Sequence, residues 1–391
     1  MSCRSETAGA FVWRFCPEDP PPLADRVRAL LQARLVDEIT EQAIELELSV
    51  TSLIAGLAPR SAAGGRVGLV GRPLRVFPQL DAAPAEVGMQ VRAPGYLPVV
   101  LNTPIGPIAG YPDVFAVVDL GDVGLHRRAV SLGGRTLRRD SLLPTVVAGA
   151  TVRIDGYWPV FPPLSVAPPA VMQAPDLAAL APPFYAARDP ATATLRRRDI
   201  APLAGEDKTI LAAAGTGSRR LRLSARNAVF PGTVLILNPA DPGRREWIPV
   251  AQVDTTSSPD QPAWITLAHP LVYPQHEAAV CQIGDLQIPL APNALTRAAI
   301  PGDETVFLAA LGGLASGVVV EMDDGLQPPE YHQLRLYEAL SDADGGFRLP
   351  PLARVAMVLL HAERMGLISP DDMRVAPEYR AADEHLTVMF P

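Results

Sequence analysis

Short runs in which apolar and polar residues alternate recur along this chain. In residues 43–52, Ile44, Leu46, Leu48 and Val50 alternate with polar or small residues. Alternation with a period of two is typical of a strand with one buried face. Further strand candidates lie at 65–70, 73–77 and 86–92. We therefore predict an N-terminal arm over residues 1–32 and one small antiparallel β-sandwich over residues 33–104.

Two later stretches have the features of two halves of a second sandwich. Strand patterns near 129–137 and 148–158 resume only at 318–322 and 331–340, before an Asp/Gly turn at 342–346. We predict that residues 105–165 and 318–366 form one split sandwich. Two segments are also compatible with short helices, residues 23–35 on the N-terminal side and residues 354–365 near the C-terminus, although a strand fits each of them as well.

The residues between the two halves have their own strand pattern. Five short apolar runs between 205 and 285, with an Asp241-Pro-Gly243 turn, predict an inserted β-barrel or sandwich domain. The Pro- and Ala-rich residues 166–204 are predicted to be an extended linker, and residues 286–317 a connector. Residues 367–391 are predicted to be an irregular tail. The whole chain is predicted to be all-β.

Two motifs resemble known families. The run Asp342–Leu352, with Gly134-Arg135 and the strand at 148–152, resembles carboxypeptidase-regulatory-like (transthyretin-like) β-sandwiches, and residues 35–37 and 93–96 resemble them more weakly. The inserted block is similar to small β modules of phage-tail-like proteins, through Pro231-Gly232, Glu246 and residues 266–276. The first resemblance implies a sandwich and transfers no catalytic residue. The second implies a structural role in an assembly such as a contractile injection system.

Composition and charge narrow the function further. The chain has 391 residues, 42 of them Pro, and a net charge of −8, which argues against general binding to nucleic acid. Three scattered Cys residues predict neither a disulfide framework nor a structural zinc site. There is no signal-peptide pattern and no apolar run of the roughly 20 residues that a membrane span needs. We therefore expect a cytoplasmic protein that belongs to a particle.

No motif with catalytic or metal-binding spacing stands out. Asp342 and Asp344 begin like a calcium loop, but Ala353 stands where such a loop needs Glu, so a simple turn is favoured. Cys281 lies in an apolar strand pattern, which predicts a buried thiol. We predict no enzymatic activity, no cofactor and no metal. The alternative, a metal-dependent hydrolase, requires Glu330, His332 and His361 to converge.

Interface residues are the remaining prediction. Trp13, Trp247 and Trp264 are candidate anchors for protein partners, and the last two lie near predicted turns, where exposure is expected. Arg196, Arg197 and Arg198 are candidates for pairing with a partner's carboxylates, against the simpler interpretation as solvated loop charges. The sequence thus favours an oligomeric structural or adaptor protein, with a soluble carbohydrate- or protein-binding module as the alternative.

Overall fold

The structure is a computed structural model. It describes residues 4–9, 11–15, 27–45, 47–77, 84–108, 111–139, 143–161, 172–370, 373–379 and 383–391. The chain divides into two compact units, Met1–Arg128 with Tyr379–Ala381, and Ala129–Glu378 with Ala382–Pro391. Nearly all regular structure in these ranges is β-strand, which confirms the predicted all-β, sandwich-type fold. None of the described helices is long and apolar enough to cross a membrane.

The first unit contains eleven strands and one short helix in the part of the chain that the structure describes. They are β1 (Arg4–Ala8), β2 (Phe11–Phe15), β3 (Arg28–Asp37), β4 (Ser49–Ser52), β5 (Ala58–Ala62), β6 (Arg66–Gly71), α1 (Pro73–Val76), β7 (Ala85–Arg92), β8 (Val99–Ile105), β9 (Pro107–Ile108), β10 (Tyr111–Phe115) and β11 (Val118–Leu125).

Two sheets enclose the core of this unit. One has the order β11–β3–β6–β5, in which β11 runs parallel to β3, and the other has the order β4–β7–β8. Leu31, Leu69 and Met89 are fully buried in the core. Residues 23–35 were compatible with either a helix or a strand, and residues 28–35 belong to the strand β3. This strand is buried on both faces, so it lacks the polar stripe of a surface element. Since β11 pairs with β3, the first unit extends beyond the predicted limit at residue 104.

The second unit contains the remaining strands. They are β12 (Val130–Arg138), β13 (Thr145–Val146), β14 (Thr151–Trp158), β15 (Leu177–Ala181), β16 (Thr194–Arg197), β17 (Ile200–Pro202), β18 (Lys208–Thr209), β19 (Arg220–Leu223), β20 (Val234–Leu237), β21 (Glu246–Val253), β22 (Ala263–Leu267), β23 (Val280–Leu286), β24 (Asn293–Ala294), β25 (Thr305–Phe307), β26 (Val319–Asp323), β27 (Glu330–Arg335), β28 (Glu338–Leu340), β29 (Gly346–Leu352), β30 (Met357–Arg364), β31 (Leu367–Ile368), β32 (Arg374–Val375) and β33 (Asp383–Phe390).

The two motif halves meet in this unit, as the sequence predicted. The strand β12 pairs antiparallel with β29, so that Gly134 lies opposite Phe347. In the facing sheet, β14 pairs antiparallel with β28 and β30. Ala150, Val152 and Phe347 share one buried cluster. Distant stretches of the chain therefore build a single sandwich.

The inserted block is less independent than predicted. Its buried cluster, which includes Ile210, Leu235 and Ile283, is drawn from its own strands. However, β20, β21 and β23 belong to a 13-stranded sheet that also contains β15, β16, β26 and β27. The block and the body of the second unit are therefore joined by a continuous sheet.

The segments predicted as linker, connector and tail contain strands in the described ranges. The segment predicted as a linker contains β15, in which all five residues are buried, because Leu and Ala let it lie between layers. The predicted connector contributes β24 and β25. The predicted tail contains the eight-residue strand β33, and residues 357–364 form a strand, not a helix. No helix is present near the C-terminus among the described residues.

Candidate functional site at the last strand

The strand β33 lies against a glycine pair in β12. It runs parallel to β12 over eight residues, from Ser131 opposite Asp383 to Arg138 opposite Phe390. A Cβ atom at Gly134 would lie 2.0 Å from the carbonyl oxygen of Leu386, and one at Gly133 would lie 3.2 Å from that of Phe347. No side chain fits at position 134 with β33 in place. The sequence of β12 therefore permits the close approach of the last strand.

The side chains of β33 alternate between the core and the outer face. Val388 and Phe390 have no exposed surface, and they pack with Val147, Val152 and Ala362. Leu386 packs against the same cluster, whereas His385 and Thr387 are exposed. Burial of two such side chains stabilises the attachment by roughly 1.5–3 kcal/mol each. The strand is thus a structural part of the sandwich.

The outer edge of β33 is open. Among the described residues, β33 pairs only with β12, so its other edge presents unpaired backbone N–H and C=O groups. Edge strands of natural proteins usually carry charges or prolines that prevent pairing with another chain. In β33 the acidic residues stand at positions 383 and 384, and residues 386–390 (Leu-Thr-Val-Met-Phe) contain neither a charge nor a proline.

Several other edge strands in the described part of the chain carry such residues, although the short edge strands β4 (Ser-Val-Thr-Ser) and β25 (Thr-Val-Phe) do not. The protective residues are found at Pro59 and Arg60 in β5, Pro104 in β8, Asp119 and Asp122 in β11, and Pro350 and Pro351 in β29. The contrast makes β33 a candidate site for a strand from another chain. Sequence reasoning missed this strand because Met389, an outward residue, is apolar and weakens the alternation of Leu386, Val388 and Phe390.

A groove of about 480 Å³ lies along β12, β29 and β33. Its lining includes Gly133, Arg135 and Leu137 of β12, Arg348 of β29, and His385 and Thr387 of β33. Because the residue between Arg348 and His385 across the sheet is Gly133, no side chain fills the space between them.

The tryptophans predicted as interface anchors have different environments. The side chain of Trp13, in β2, lies outside the described residues. Trp247 is only 4% exposed, so the expectation of exposure is wrong. It lies in β21, which has strand neighbours on both sides, and its indole packs with Ile236 and Tyr331. Trp264 is 38% exposed, and the Arg220 guanidinium lies 4.9 Å from its ring centroid.

The three predicted interface arginines are paired within the chain. Arg196 and Arg197 belong to strand β16 and not to a loop. Arg196 Nη2 and Arg198 Nε both contact the buried carboxylate of Glu321, the latter at 3.0 Å. Arg197 Nε lies 3.1 Å from the exposed Asp199 carboxylate. A partner's carboxylates would have to compete with these internal ones, and the role of the arginines in an interface stays a prediction.

A buried ionic cluster surrounds two of the three residues of the hydrolase hypothesis. Glu330 Oε1 accepts hydrogen bonds from Arg188 and from the backbone N–H of Ala186, and Oε2 lies 3.2 Å from His332 Nε2. His332 Nδ1 lies 2.7 Å from the Pro182 carbonyl oxygen. Both ring nitrogens of His332 therefore face oxygen atoms. Burial alone would raise the pKa of Glu330, but the hydrogen bond and charge of His332 lower it below its usual range.

The third residue of that hypothesis lies elsewhere. His361 is in β30, in a different sheet from Glu330 and His332, and its ring nitrogens lie 3.7 Å from Asp155 and 3.6 Å from Glu363. The side chains of Glu330, His332 and Arg188 are fully buried. The described residues contain no group of three or more His, Cys, Asp or Glu placed to hold a metal. The convergence that a hydrolase requires is therefore not present.

Asp342 forms a turn, as the sequence favoured. Its Oδ1 accepts hydrogen bonds from the backbone N–H groups of Asp344 and Gly346. Gly345 has a φ of +73°, and a Cβ atom there would lie 2.8 Å from the Thr136 carbonyl oxygen. The carboxylate thus fixes the turn that leads into β29.

Comparisons with known proteins do not identify a family for this chain. No protein-family description matches it, and no curated protein matches its sequence. A solved structure, that of a BcpA variant, the major pilin subunit of Bacillus cereus, aligns over 93% of this chain and 99% of its own, with 7% identity and a TM-score of 0.20. A likeness at that score carries no argument about fold or function.

Proposed function

We propose that this protein is a non-enzymatic structural subunit of a protein assembly. The observation that carries the proposal is the open edge of β33, an eight-residue strand in which residues 386–390 are uncharged, whereas the edge strands β5, β8, β11 and β29 hold prolines or charges. An extended segment of a partner can add to such an edge through backbone hydrogen bonds, while pockets for alternate side chains give specificity. The partners in this proposal are proteins.

The buried ionisable groups support a structural role. The Arg188–Glu330–His332 cluster is closed to solvent and uses its hydrogen bonds to hold backbone segments near residues 182–186 and 328. Glu246 likewise accepts hydrogen bonds from the backbone of Val272 and Tyr273 and from the Tyr185 hydroxyl. These groups connect distant segments of the fold rather than line an accessible cleft.

The test is the mass of the native protein in solution. We expect full-length protein to be multimeric by size-exclusion chromatography with light scattering. Thr387→Lys, on the exposed face of β33, should shift it towards the monomer, because a charge in an edge strand opposes pairing. Asn102→Lys in β8, an edge strand that already contains Pro104, is the matched control and should leave the mass unchanged. A wild-type monomer at every concentration, alone and in cell extract, would contradict the proposal.

A narrower form of the proposal places the subunit in a contractile, phage-tail-like particle formed in the cytoplasm. Its support is the motif likeness of the inserted block, at Pro231-Gly232, Glu246 and residues 266–276. Purification of tagged protein from its native host and electron microscopy of the product would test it. A sheathed tubular particle is expected, and a uniform small oligomer would contradict this narrower form alone.

A second candidate function is a soluble binding module. The groove of about 480 Å³ beside Gly133 favours it, since the space lies on an open sheet face between polar side chains. A glycan and peptide array probed with wild-type protein and with Gly133→Leu, which would fill the groove, tests this candidate. Binding that the substitution leaves unchanged would exclude the groove as the site.

A further inference from the structure

We propose that the partner at the open edge of β33 is the β33 strand of a second copy of this chain. The two strands would run antiparallel about a twofold axis through Val388, so that the two sheets become continuous. This inference rests on the proposed function and adds the identity and register of the partner. A twofold contact of this kind uses the same surface on both copies.

The alternation of side chains in β33 restricts the register. Residues directly opposite each other in an antiparallel pair point to the same face of the sheet. Leu386, Val388 and Phe390 face the core, and Thr387 and Met389 face outward. A shift of one residue would place core residues opposite outward ones and interrupt the buried face. A twofold axis that passes through a residue pairs core residues with core residues. An axis that passes between two residues would pair core residues with outward ones.

The charges of β33 select among the remaining axes. An axis at Val388 pairs Leu386 with Phe390 on the core face, Thr387 with Met389 on the outer face, and Val388 with its own copy. All five positions are uncharged. An axis at Thr387 would place Glu384 opposite Phe390, which is buried, and would add the cost of removing a carboxylate from water. An axis at Met389 would place Thr387 opposite Pro391, which has no backbone N–H to donate. Val388 is therefore the favoured centre.

The β33 strand of a second copy is also chemically compatible with the open edge of β33. Apolar and β-branched pairs across neighbouring strands contribute roughly 0.2–1 kcal/mol each, and like charges placed opposite each other oppose pairing. In the proposed register no charged residue lies opposite another within residues 386–390. The segment is self-complementary.

Engineered disulfides in the full-length chain test the register. We would use a background with Cys3→Ser and Cys16→Ser, in which Cys281 remains buried. A mixture of the Thr387→Cys and Met389→Cys proteins should form about tenfold more linked dimer on mild oxidation than either protein alone. Directly opposed Cβ atoms lie about 4.5–5.5 Å apart and approach disulfide geometry, whereas diagonal pairs lie farther apart.

The outcomes separate this inference from the proposed function. Preferential linkage in the mixture supports the twofold pair. A protein that is multimeric by light scattering but gives no preferential linkage would overturn the register and the self-pairing, while the assembly proposal would stand. A protein that is monomeric at every concentration and gives no linkage would overturn both. A Thr387→Lys/Met389→Cys double variant keeps the thiol, so loss of its linkage to the Thr387→Cys protein would confirm that the edge itself is used.

Discussion

Gly134 of β12 lies directly opposite Leu386 of β33, and the space between the two backbones leaves no room for a side chain. The last strand is therefore held by a position that only glycine fills without displacement. This relationship links a residue in the first half of the split sandwich to the strand that we propose as the assembly edge.

Gly134→Ala should weaken the attachment of β33. The added methyl group meets the Leu386 backbone, and overpacking of this kind costs about 1–3 kcal/mol in the free energy of unfolding. Hydrogen exchange should show loss of protection first in residues 384–390, and urea denaturation should give the overall cost. Gly215→Ala is the control, because nothing lies within 4 Å of its Cβ position. Equal effects at both positions would contradict the packing argument.

Arg188→Met should be strongly destabilising. Its guanidinium has no exposed surface and lies 2.7 Å from the Asp324 carboxylate and 3.1 Å from Glu330. Removing one partner of a buried ion pair costs about 3–5 kcal/mol, because it leaves an uncompensated charge. Arg197→Met, which removes an arginine paired with the exposed Asp199, should cost about 1 kcal/mol or less. Similar thermal shifts for the two variants would contradict this account.

Asp37 should make the first unit sensitive to acid. Burial alone would raise its pKa, but hydrogen bonds from Arg127, Tyr96 and the backbone lower it from 3.8 to about 2. Its stabilising contribution is therefore present above pH 3.8 and is lost as the pH falls towards 2. By linkage the loss is roughly 2 kcal/mol.

Asp37→Asn should remove that part of the pH dependence and lower stability at pH 7. Denaturation curves between pH 2 and pH 7 would measure both effects. Asp122→Asn, at an exposed pair with Arg34, is the control and should behave as wild type. An unchanged acid transition in the Asp37→Asn protein would contradict the assignment.

Glu304 should change the stability with pH in the opposite direction to Asp37. Burial raises its pKa from 4.5 to about 7, although the charge of Arg335 opposes the shift. The folded state then holds a proton that the unfolded chain releases, so the contribution of Glu304 is greatest below pH 4.5 and is lost as the pH rises to 7. The stability of the Glu304→Gln protein relative to wild type should therefore be greater at pH 8 than at pH 5. Parallel stability profiles for the two proteins would exclude this effect.

Cys281 should be inert in the folded protein. Burial raises the pKa of its thiol to about 12, so almost no thiolate exists at pH 8. Iodoacetamide should leave Cys281 unmodified in native protein and modify it in urea, as peptide mass spectrometry would show. Modification of the native protein at the rate seen in urea would contradict the buried placement.

Local chemistry made part of the fold predictable. The Asp342–Gly346 turn is fixed by hydrogen bonds within five residues, so its sequence was sufficient to locate the strand that follows. Cys281 was predicted to be buried from its apolar neighbours, and the structure confirms this. The pairing of β12 with β29 was predicted from the two motif halves.

Other features depend on contacts that no local pattern encodes. Trp247 follows a polar turn, which suggested exposure, but β27 covers it through the pairing of Trp247 with Tyr331. No hairpin turn joins β33 to β12, so no local sequence signal indicates their parallel pairing. The uniformly buried β15 resembles a Pro- and Ala-rich linker because its flanks contain prolines and its buried positions hold small residues.

The hydroxyl of Thr136 donates a hydrogen bond to the Gly345 carbonyl oxygen, 209 residues later in the chain. Because β12 also pairs with β29 and β33, its sheet cannot close during synthesis until residues 346–352 and 383–390 have left the ribosome. The block at 205–285, whose strands supply their own apolar cluster, can collapse earlier. We expect the block at 205–285 to fold first and the split sandwich to fold last. The late closing of the sandwich should be the step that depends most on chaperones.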